Sequence, residues 1–247
     1  MQIKQILIFV LLTQSVWVAA QKKTGTFELG AAIAAFTYQG DLTPEAIGSF
    51  KTMKPGFVLS ASKIFTPSMA LRLQIIAGSI KGDEAKYKQP EYRSHRAFSF
   101  RSPVVEVSPQ LVWNVFGTNN SDRRDLSPYL FAGGTLSYFN LKPDGSKFDS
   151  AYFGDGSDIP ARLATDEQKK LTKLKFTIPA GAGIRYNLSH RLAFTGELSY
   201  HFPFTDYLDG FSKSVNPHKG DHYFISAIGI VFRFGVQDKL GCPTPAD

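Results

Sequence analysis

Hydrophobic and polar residues alternate along most of the chain, which is typical of β-strands that have one apolar and one polar face. In the clearest segment, Leu71, Leu73 and Ile75 share one face, while Arg72 and Gln74 share the other. The same two-residue period recurs along the chain and predicts eight strands. We place them at about 26–38, 55–65, 69–81, 98–116, 126–140, 174–187, 191–204 and 221–234.

The links between the predicted strands alternate in length. The second, fourth and sixth links are short, at about 66–68, 117–125 and 188–190, and the other links are longer. Outer-membrane barrels with both termini in the periplasm show this parity, with short periplasmic turns and long extracellular loops. The sequence therefore predicts an all-β fold, an eight-stranded antiparallel transmembrane β-barrel of the outer-membrane type with long extracellular loops, over residues 21–235.

The start of the chain has the composition of an export signal. Lys4 precedes an apolar run at 6–12, and the small residues at 18–20 resemble a signal-peptidase site. The apolar run is shorter than the roughly 18 residues expected of a membrane-spanning helix. We predict a signal peptide over residues 1–20 and a location in the cell outer membrane.

The predicted C-terminal tail, residues 236–247, would lie in the periplasm. It contains the single cysteine of the chain, Cys242. One cysteine excludes an intramolecular disulfide and cysteine-based zinc sites. An exposed thiol and an intermolecular bridge both remain open.

If the apolar face of each strand lies toward the lipid, its other face lies inside the barrel. This orientation places three carboxylates and three arginines inside. These residues are Glu28, Arg72, Glu106, Arg185, Glu197 and Arg233. Buried charges are tolerated only when they are paired and hydrogen-bonded. Because the interior of an eight-stranded barrel is just wide enough for side chains, we predict an interlocked ionic network instead of an open pore.

Composition excludes one class of partner. The formal net charge is +7, from 28 basic and 21 acidic residues, but the basic residues alternate with acidic ones along the chain. Nucleic-acid binding requires a basic stripe that neutralises phosphates. We therefore expect no nucleic-acid partner, and we expect contact with outer-membrane lipid.

Candidate chemistry is sparse. Ser199 and His201 face the same side of a predicted strand, but a hydrogen bond in the lumen explains them as well as catalysis does, and no Gly-x-Ser-x-Gly is present. Asp206 and Asp209 have neither the spacing nor the ligand number of a calcium loop. We expect no enzyme activity, cofactor, metal site or small-molecule substrate.

Two local features carry structural predictions. Pro103 and Pro109 lie in a long predicted strand and, since proline donates no ladder hydrogen bond, suggest either bulges there or a strand that extends beyond the membrane. In the long link at about 141–173, Thr165 and Gln168 predict a short helix with Thr165 as its N-cap.

Several short motifs occur in an order that resembles a known family. They are Tyr38-Gln39-Gly40-Asp41-Leu42, Phe98-Ser99-Phe100, Pro128-Tyr129-Leu130-Phe131-Ala132-Gly133, Ile178-Pro179-Ala180-Gly181, Thr205-Asp206-Tyr207-Leu208-Asp209 and Cys242-Pro243. Together they resemble the PorG-like outer-membrane barrels of Bacteroidota. The resemblance implies a non-enzymatic component of the type IX secretion system, or a paralogue of it. It further implies contact with a periplasmic ring lipoprotein through the periplasmic turns and the C-terminal tail.

Two other functions remain open at this point. The long loops are compatible with a surface adhesin or binding barrel, in which loop 141–173 would take part. An outer-membrane enzyme that acts on lipid would have His201 as its only candidate residue.

Overall fold

The computed structural model describes residues 26–45, 48–119, 124–154, 156–169, 172–204, 208–211, 213–215 and 220–234. The predicted signal peptide, the C-terminal tail with Cys242, and Asp206 lie outside these described residues.

The described residues form ten strands that belong to one antiparallel sheet. They are β1 (Phe27–Gln39), β2 (Lys54–Ile64), β3 (Met69–Asp83), β4 (Ser99–Asn114), β5 (Leu126–Gly133), β6 (Thr135–Phe139), β7 (Lys142–Asp144), β8 (Leu174–Asn187), β9 (Leu192–Phe202) and β10 (His222–Phe234). Three short α-helices lie in the long links: α1 (Tyr92–Arg96), α2 (Ser150–Phe153) and α3 (Ile159–Gln168), together with two 3-10 helices at Phe50–Thr52 and Glu84–Lys86.

The sheet closes on itself in a ring. β1 to β4 pair in chain order, as do β8 to β10, and β1 pairs with both β2 and β10, so that no edge remains between the first strand and the last. β5 and β6 together occupy one place between β4 and β8, whereas the short β7 extends the pairing of β4. The predicted eight-stranded antiparallel barrel is confirmed.

The interruption between β5 and β6 lies opposite a proline. Gln110 pairs with Gly133 and Val107 pairs with Leu136, so the register is the same on both sides of the interruption. Pro109 has no N–H to donate to the strand opposite, while its carbonyl accepts from the Gly134 N–H at 3.3 Å. The predicted bulge at Pro109 is therefore wrong, because a ladder hydrogen bond is missing but no residue is inserted. Pro103 likewise pairs in register with Ser79.

The outer face of the barrel carries an apolar belt. On β4 the outward residues Val105, Val107, Leu111 and Trp113 are all at least 44% exposed. From Pro103 to Trp113 the strand rises about 3.3 Å per residue, which at a tilt near 40° gives a belt about 25 Å high. This height matches the hydrocarbon-facing band of outer-membrane barrels. Within the described ranges, no helix is both long and apolar enough to cross a membrane.

Aromatic residues fill the lumen at the end where the long loops lie. Phe36, Tyr38, Phe100, Phe139 and Tyr223 are each at most 1% exposed and belong to the main apolar cluster. The inward charged residues predicted a charged interior, whereas this aromatic layer was not predicted. The polar part of the lumen lies below it, toward the chain termini.

The helix predicted in the long link begins earlier than expected. α3 starts at Ile159, with Pro160 in its first turn and Asp158 at the N-cap position. The Thr165 hydroxyl donates to the Ala161 carbonyl at 2.9 Å and so lies inside the helix. Thr165 is therefore not an N-cap, because Pro160 with its fixed φ favours the first turn of a helix.

Candidate functional site in the lumen and at the extracellular rim

The lumen near the chain termini is organised around one carboxylate. Glu28 is 3% exposed and accepts hydrogen bonds from two arginines. Arg185 donates from Nη1 at 3.0 Å and from Nη2 at 2.7 Å, and Arg233 donates from Nε at 3.1 Å. Strands β1, β8 and β10 thus contribute to a single group whose two positive charges exceed its one negative charge.

A second group lies in the middle of the barrel. Arg72 on β3 forms a short ion pair with Glu197 on β9, across the lumen. Arg72 Nε also donates to Gln110 Oε1 at 2.9 Å, and the Tyr129 hydroxyl donates to Glu197 Oε1 at 2.7 Å. The guanidinium lies 4.5 Å from the centroid of the Phe131 ring. The partners of Arg72 therefore come from strands on several sides of the barrel.

A third group surrounds Glu106 and contains no arginine. Glu106 is fully buried and accepts from Ser137 at 3.0 Å and from the Tyr223 hydroxyl in a short hydrogen bond. His201 Nδ1 lies 3.3 Å from Glu106 Oε2 without hydrogen-bond geometry. Among the described residues, the side chains that surround Glu106 at this height are tyrosine, serine and histidine.

The six predicted residues thus all lie inside the barrel, in three groups. Sequence reasoning missed the tyrosine and glutamine partners, since it counted only charges. Their signal was available, because Gln110, Tyr129 and Tyr223 occupy inward positions of the same period-two pattern.

Ser199, His201 and Glu106 lie in the order of a nucleophile, a base and an acid. Ser199 Oγ is 3.0 Å from His201 Nε2. However, the contact between the histidine and the glutamate lacks hydrogen-bond geometry, and a catalytic base must be oriented by its third partner. A lumen cavity of about 40 Å³ lies closer to the chain termini and is not lined by Ser199. It has room for about three or four water molecules at roughly 10–15 Å³ each, which leaves no space for a substrate.

At the extracellular rim, one tyrosine binds two carboxylates. The Tyr38 hydroxyl lies 2.9 Å from Asp209 Oδ2 and 2.5 Å from Asp221 Oδ1, and all three residues are at most 1% exposed. Burial and the adjacent Asp209 carboxylate raise the pKa of Asp221 well above its ordinary value. A phenol carries one proton, so both contacts are hydrogen bonds only when one carboxylate is protonated. This cluster joins the last long link to β1.

Further hydrogen bonds join the long links to one another. Buried Asp166 of α3 accepts from the backbone N–H of Lys213 at 3.1 Å and of Ser214 at 2.9 Å. His95 of α1 contacts Asp149 Oδ2 at 3.0 Å, and this hydrogen bond lowers the pKa of the Asp149 carboxyl. We call this assembly of the long links with α1, α2 and α3 the extracellular cap. It covers the aromatic end of the lumen.

No group of three or more potential metal ligands occurs among the residues that the structure describes. The arrangement as a whole consists of a filled lumen below an ordered cap. Such an interior can stabilise the barrel and hold its loops in place, and the side chains that the structure describes fill most of the lumen.

The closed sheet and its apolar belt place the protein in the outer membrane. A closed barrel pairs the backbone groups of neighbouring strands with one another and leaves no open edge, which the hydrocarbon region requires. The alternating outward apolar and inward polar residues have the period of outer-membrane barrels. The predicted location is confirmed.

Comparisons with known proteins report similar barrels and one family. Ail, the attachment invasion locus protein of Yersinia pestis, is 12% identical, with 86% of this chain and 100% of that chain covered and a TM-score of 0.46. Neisserial surface protein A is 16% identical, with 85% and 99% covered and a TM-score of 0.45. OprG from Pseudomonas aeruginosa is 10% identical, with 86% and 97% covered and a TM-score of 0.46. No curated protein matches the sequence. Residues 4–238 match the model of a domain of unknown function, DUF6089.

Proposed function

The chain belongs to the DUF6089 family, and we propose that it is a non-enzymatic, non-conducting outer-membrane anchor that assists a protein-secretion complex. The observation that carries the proposal is the filled lumen. Ion pairs occupy its middle, aromatic side chains occupy its outer end, and the cavity among the ion pairs, toward the chain termini, measures about 40 Å³. A barrel without an aqueous path acts through its surfaces.

The motif order of the PorG-like barrels supports a more specific role. On this proposal the complex is the type IX secretion system or a paralogous machine, and the partner is a periplasmic ring lipoprotein. The surface available to it consists of the short links, which include exposed Arg191 between β8 and β9. These links lie at the end of the barrel that carries the chain termini, as a periplasmic contact requires.

Site-specific photo-crosslinking in intact cells tests this role. A crosslinking residue at Arg191 should give a covalent adduct with a periplasmic protein. The matched control is Tyr152, which is 45% exposed in the extracellular cap and should give no such adduct. If the two positions give the same products, or if neither gives a periplasmic adduct, the proposed partner is wrong.

A second candidate function rests on the extracellular cap. Its hydrogen bonds hold α3 against the last long link, so the exposed side of this helix is a fixed surface suited to adhesion or binding. Deleting the whole link would remove Phe148 and Leu163, which pack against the apolar cluster. A cleaner test replaces exposed Arg162 and Glu167 with alanine and measures attachment of whole cells. Unchanged attachment would contradict binding through α3.

A further inference from the structure

Three cations form a row on the outer face of the barrel. Lys81 on β3 lies directly opposite Arg101 on β4, and Arg101 lies directly opposite Lys142 on β7. Arg101 and Lys142 are exposed, and Lys81 is partly exposed. Side chains directly opposite one another on one face of a sheet have Cβ atoms about 5 Å apart. The three positive charges are therefore neighbours.

This row is only partly neutralised within the described part of the chain, where exposed Asp144 lies two residues from Lys142 and opposite Ser99. Lys81 Nζ pairs with Asp83 Oδ2 at 2.8 Å, but neither Arg101 nor Lys142 has an ion-pair partner among the described residues. Like charges directly opposite one another destabilise a sheet. An external anion would remove this repulsion.

The height of the row matches a lipid headgroup. Arg101 follows the outward sequence of β4 two residues beyond Pro103, where the apolar belt ends. Two residues of a strand tilted near 40° rise about 5 Å. The row therefore lies just above the hydrocarbon region, on the side of the long loops, which face the cell exterior.

The row is confined to one side of the barrel. At the same end, the outward positions of β8 and β9 carry Phe176, Tyr200 and Phe202 instead of cations. Aromatic residues are typical of the interfacial girdle of outer-membrane barrels. A cationic sector beside an aromatic girdle indicates a local binding surface for an anion, because a general adaptation to the interface would extend around the ring.

We propose that Lys81, Arg101 and Lys142 bind the phosphate groups of a glycolipid headgroup in the outer leaflet. Arginine and lysine both bind phosphate, arginine through two parallel hydrogen bonds and lysine as a point charge. The acyl chains would lie along the apolar belt directly below the row. This lipid site is independent of the proposed secretion role, since it lies on a different surface.

Native mass spectrometry of the full chain in detergent tests the proposal. The probes are a bisphosphorylated lipid A and the same lipid after enzymatic removal of its phosphates. The wild-type protein should bind the phosphorylated lipid and bind the dephosphorylated lipid much more weakly. Removing two cations with R101Q and K142Q together should weaken binding of the phosphorylated lipid about 30-fold. The conservative variant R101K should retain most of the binding.

The matched control is the double variant K63Q and R191Q, which removes two exposed cations from the opposite end of the barrel. Its affinity should stay within about twofold of the wild type, because these residues lie far beyond the Debye length of about 10 Å from the row. Heat-modifiable gel mobility verifies that each variant is folded. Equal binding of the two lipids, or equal losses in the test and control variants, would overturn the proposal. Displacement of the lipid by an equal concentration of inorganic phosphate would overturn the assignment to a lipid.

Discussion

Replacing Glu28 with alanine is the most severe test of whether the buried charges in the lumen compensate one another. Glu28 provides every carboxylate oxygen that the structure places against Arg185 and Arg233, through hydrogen bonds of 2.7 to 3.1 Å. The alanine variant would leave two arginines inside the barrel without a counter-charge. Both arginines are largely shielded from solvent, with side chains 13% and 6% exposed.

The expected loss in the free energy of unfolding follows from the cost of removing one partner of a buried ion pair. Removing one partner of such a pair typically costs about 3–5 kcal/mol, because the remaining charge is buried and uncompensated. Two arginines share Glu28, so we expect a value in the upper half of this range. Partial hydration through the adjacent 40 Å³ cavity keeps the loss from exceeding it.

The assay is denaturant unfolding of the barrel refolded into lipid vesicles, with the free energy of unfolding taken from linear extrapolation. The matched control is Glu167→Ala, which removes an exposed carboxylate in α3 and should change the free energy of unfolding by no more than about 0.5 kcal/mol. A loss below about 1 kcal/mol for the Glu28 variant would refute the conclusion that this carboxylate compensates two buried charges.

Three further predictions concern the extracellular cap. Asp166→Asn should weaken the contact with the last long link and speed limited proteolysis there, while the heat-modifiable mobility of the barrel stays unchanged. The hydrogen bond from His95 lowers the pKa of Asp149. The contact between these two side chains should therefore stabilise the cap at neutral pH and be lost as the pH falls below about 4. Hydrogen exchange of α2 measured across pH 3 to 7 would show this, and a flat profile would contradict it. Because the pKa of Asp221 is raised in the folded state, its ionisation disfavours folding as the pH rises above about 4. Asp221→Asn should therefore raise the melting temperature at pH 8, and a lower value would show that the carboxylate is needed in its charged form.

The strands could be predicted from the sequence because period-two alternation is a local property. Every predicted strand agrees with the structure to within two residues at each end, when β5 and β6 are taken as one. The alternation assigned Arg72 and Glu197 to the lumen, since a strand that has lipid on one side must place its charged residues on the other. The parity of the links then fixed which end of the barrel carries the long loops.

The partners inside the lumen could not be predicted from the same pattern. Alternation gives the face of a residue but not its height relative to a strand 150 residues away, which depends on the stagger of the closed barrel. Glu28 and Arg185 are such a pair. Glu106 shows the consequence, because its height places it beside Tyr223 instead of an arginine.

The aromatic layer and the extracellular cap could not be predicted from the sequence, for a second reason. Phe36 and Tyr38 occupy inward positions at a point where outward Ile33 and Ala35 are also apolar, so the alternation of polarity is lost there. The cap contacts of Asp166 join links without periodicity, and periodicity is the signal that sequence reasoning uses. Continuous apolarity near the end of a strand could have indicated a plugged lumen.

The central claim is that the chain closes into a membrane-embedded cylinder with an apolar exterior and a filled polar interior. The most direct measurement is the gel mobility of the membrane fraction, compared before and after boiling in detergent. The closed barrel should resist detergent until it is heated, so the unheated protein should migrate faster than the boiled protein. Identical mobility of the two samples would contradict a closed barrel, and with it the filled lumen and the lipid-facing belt.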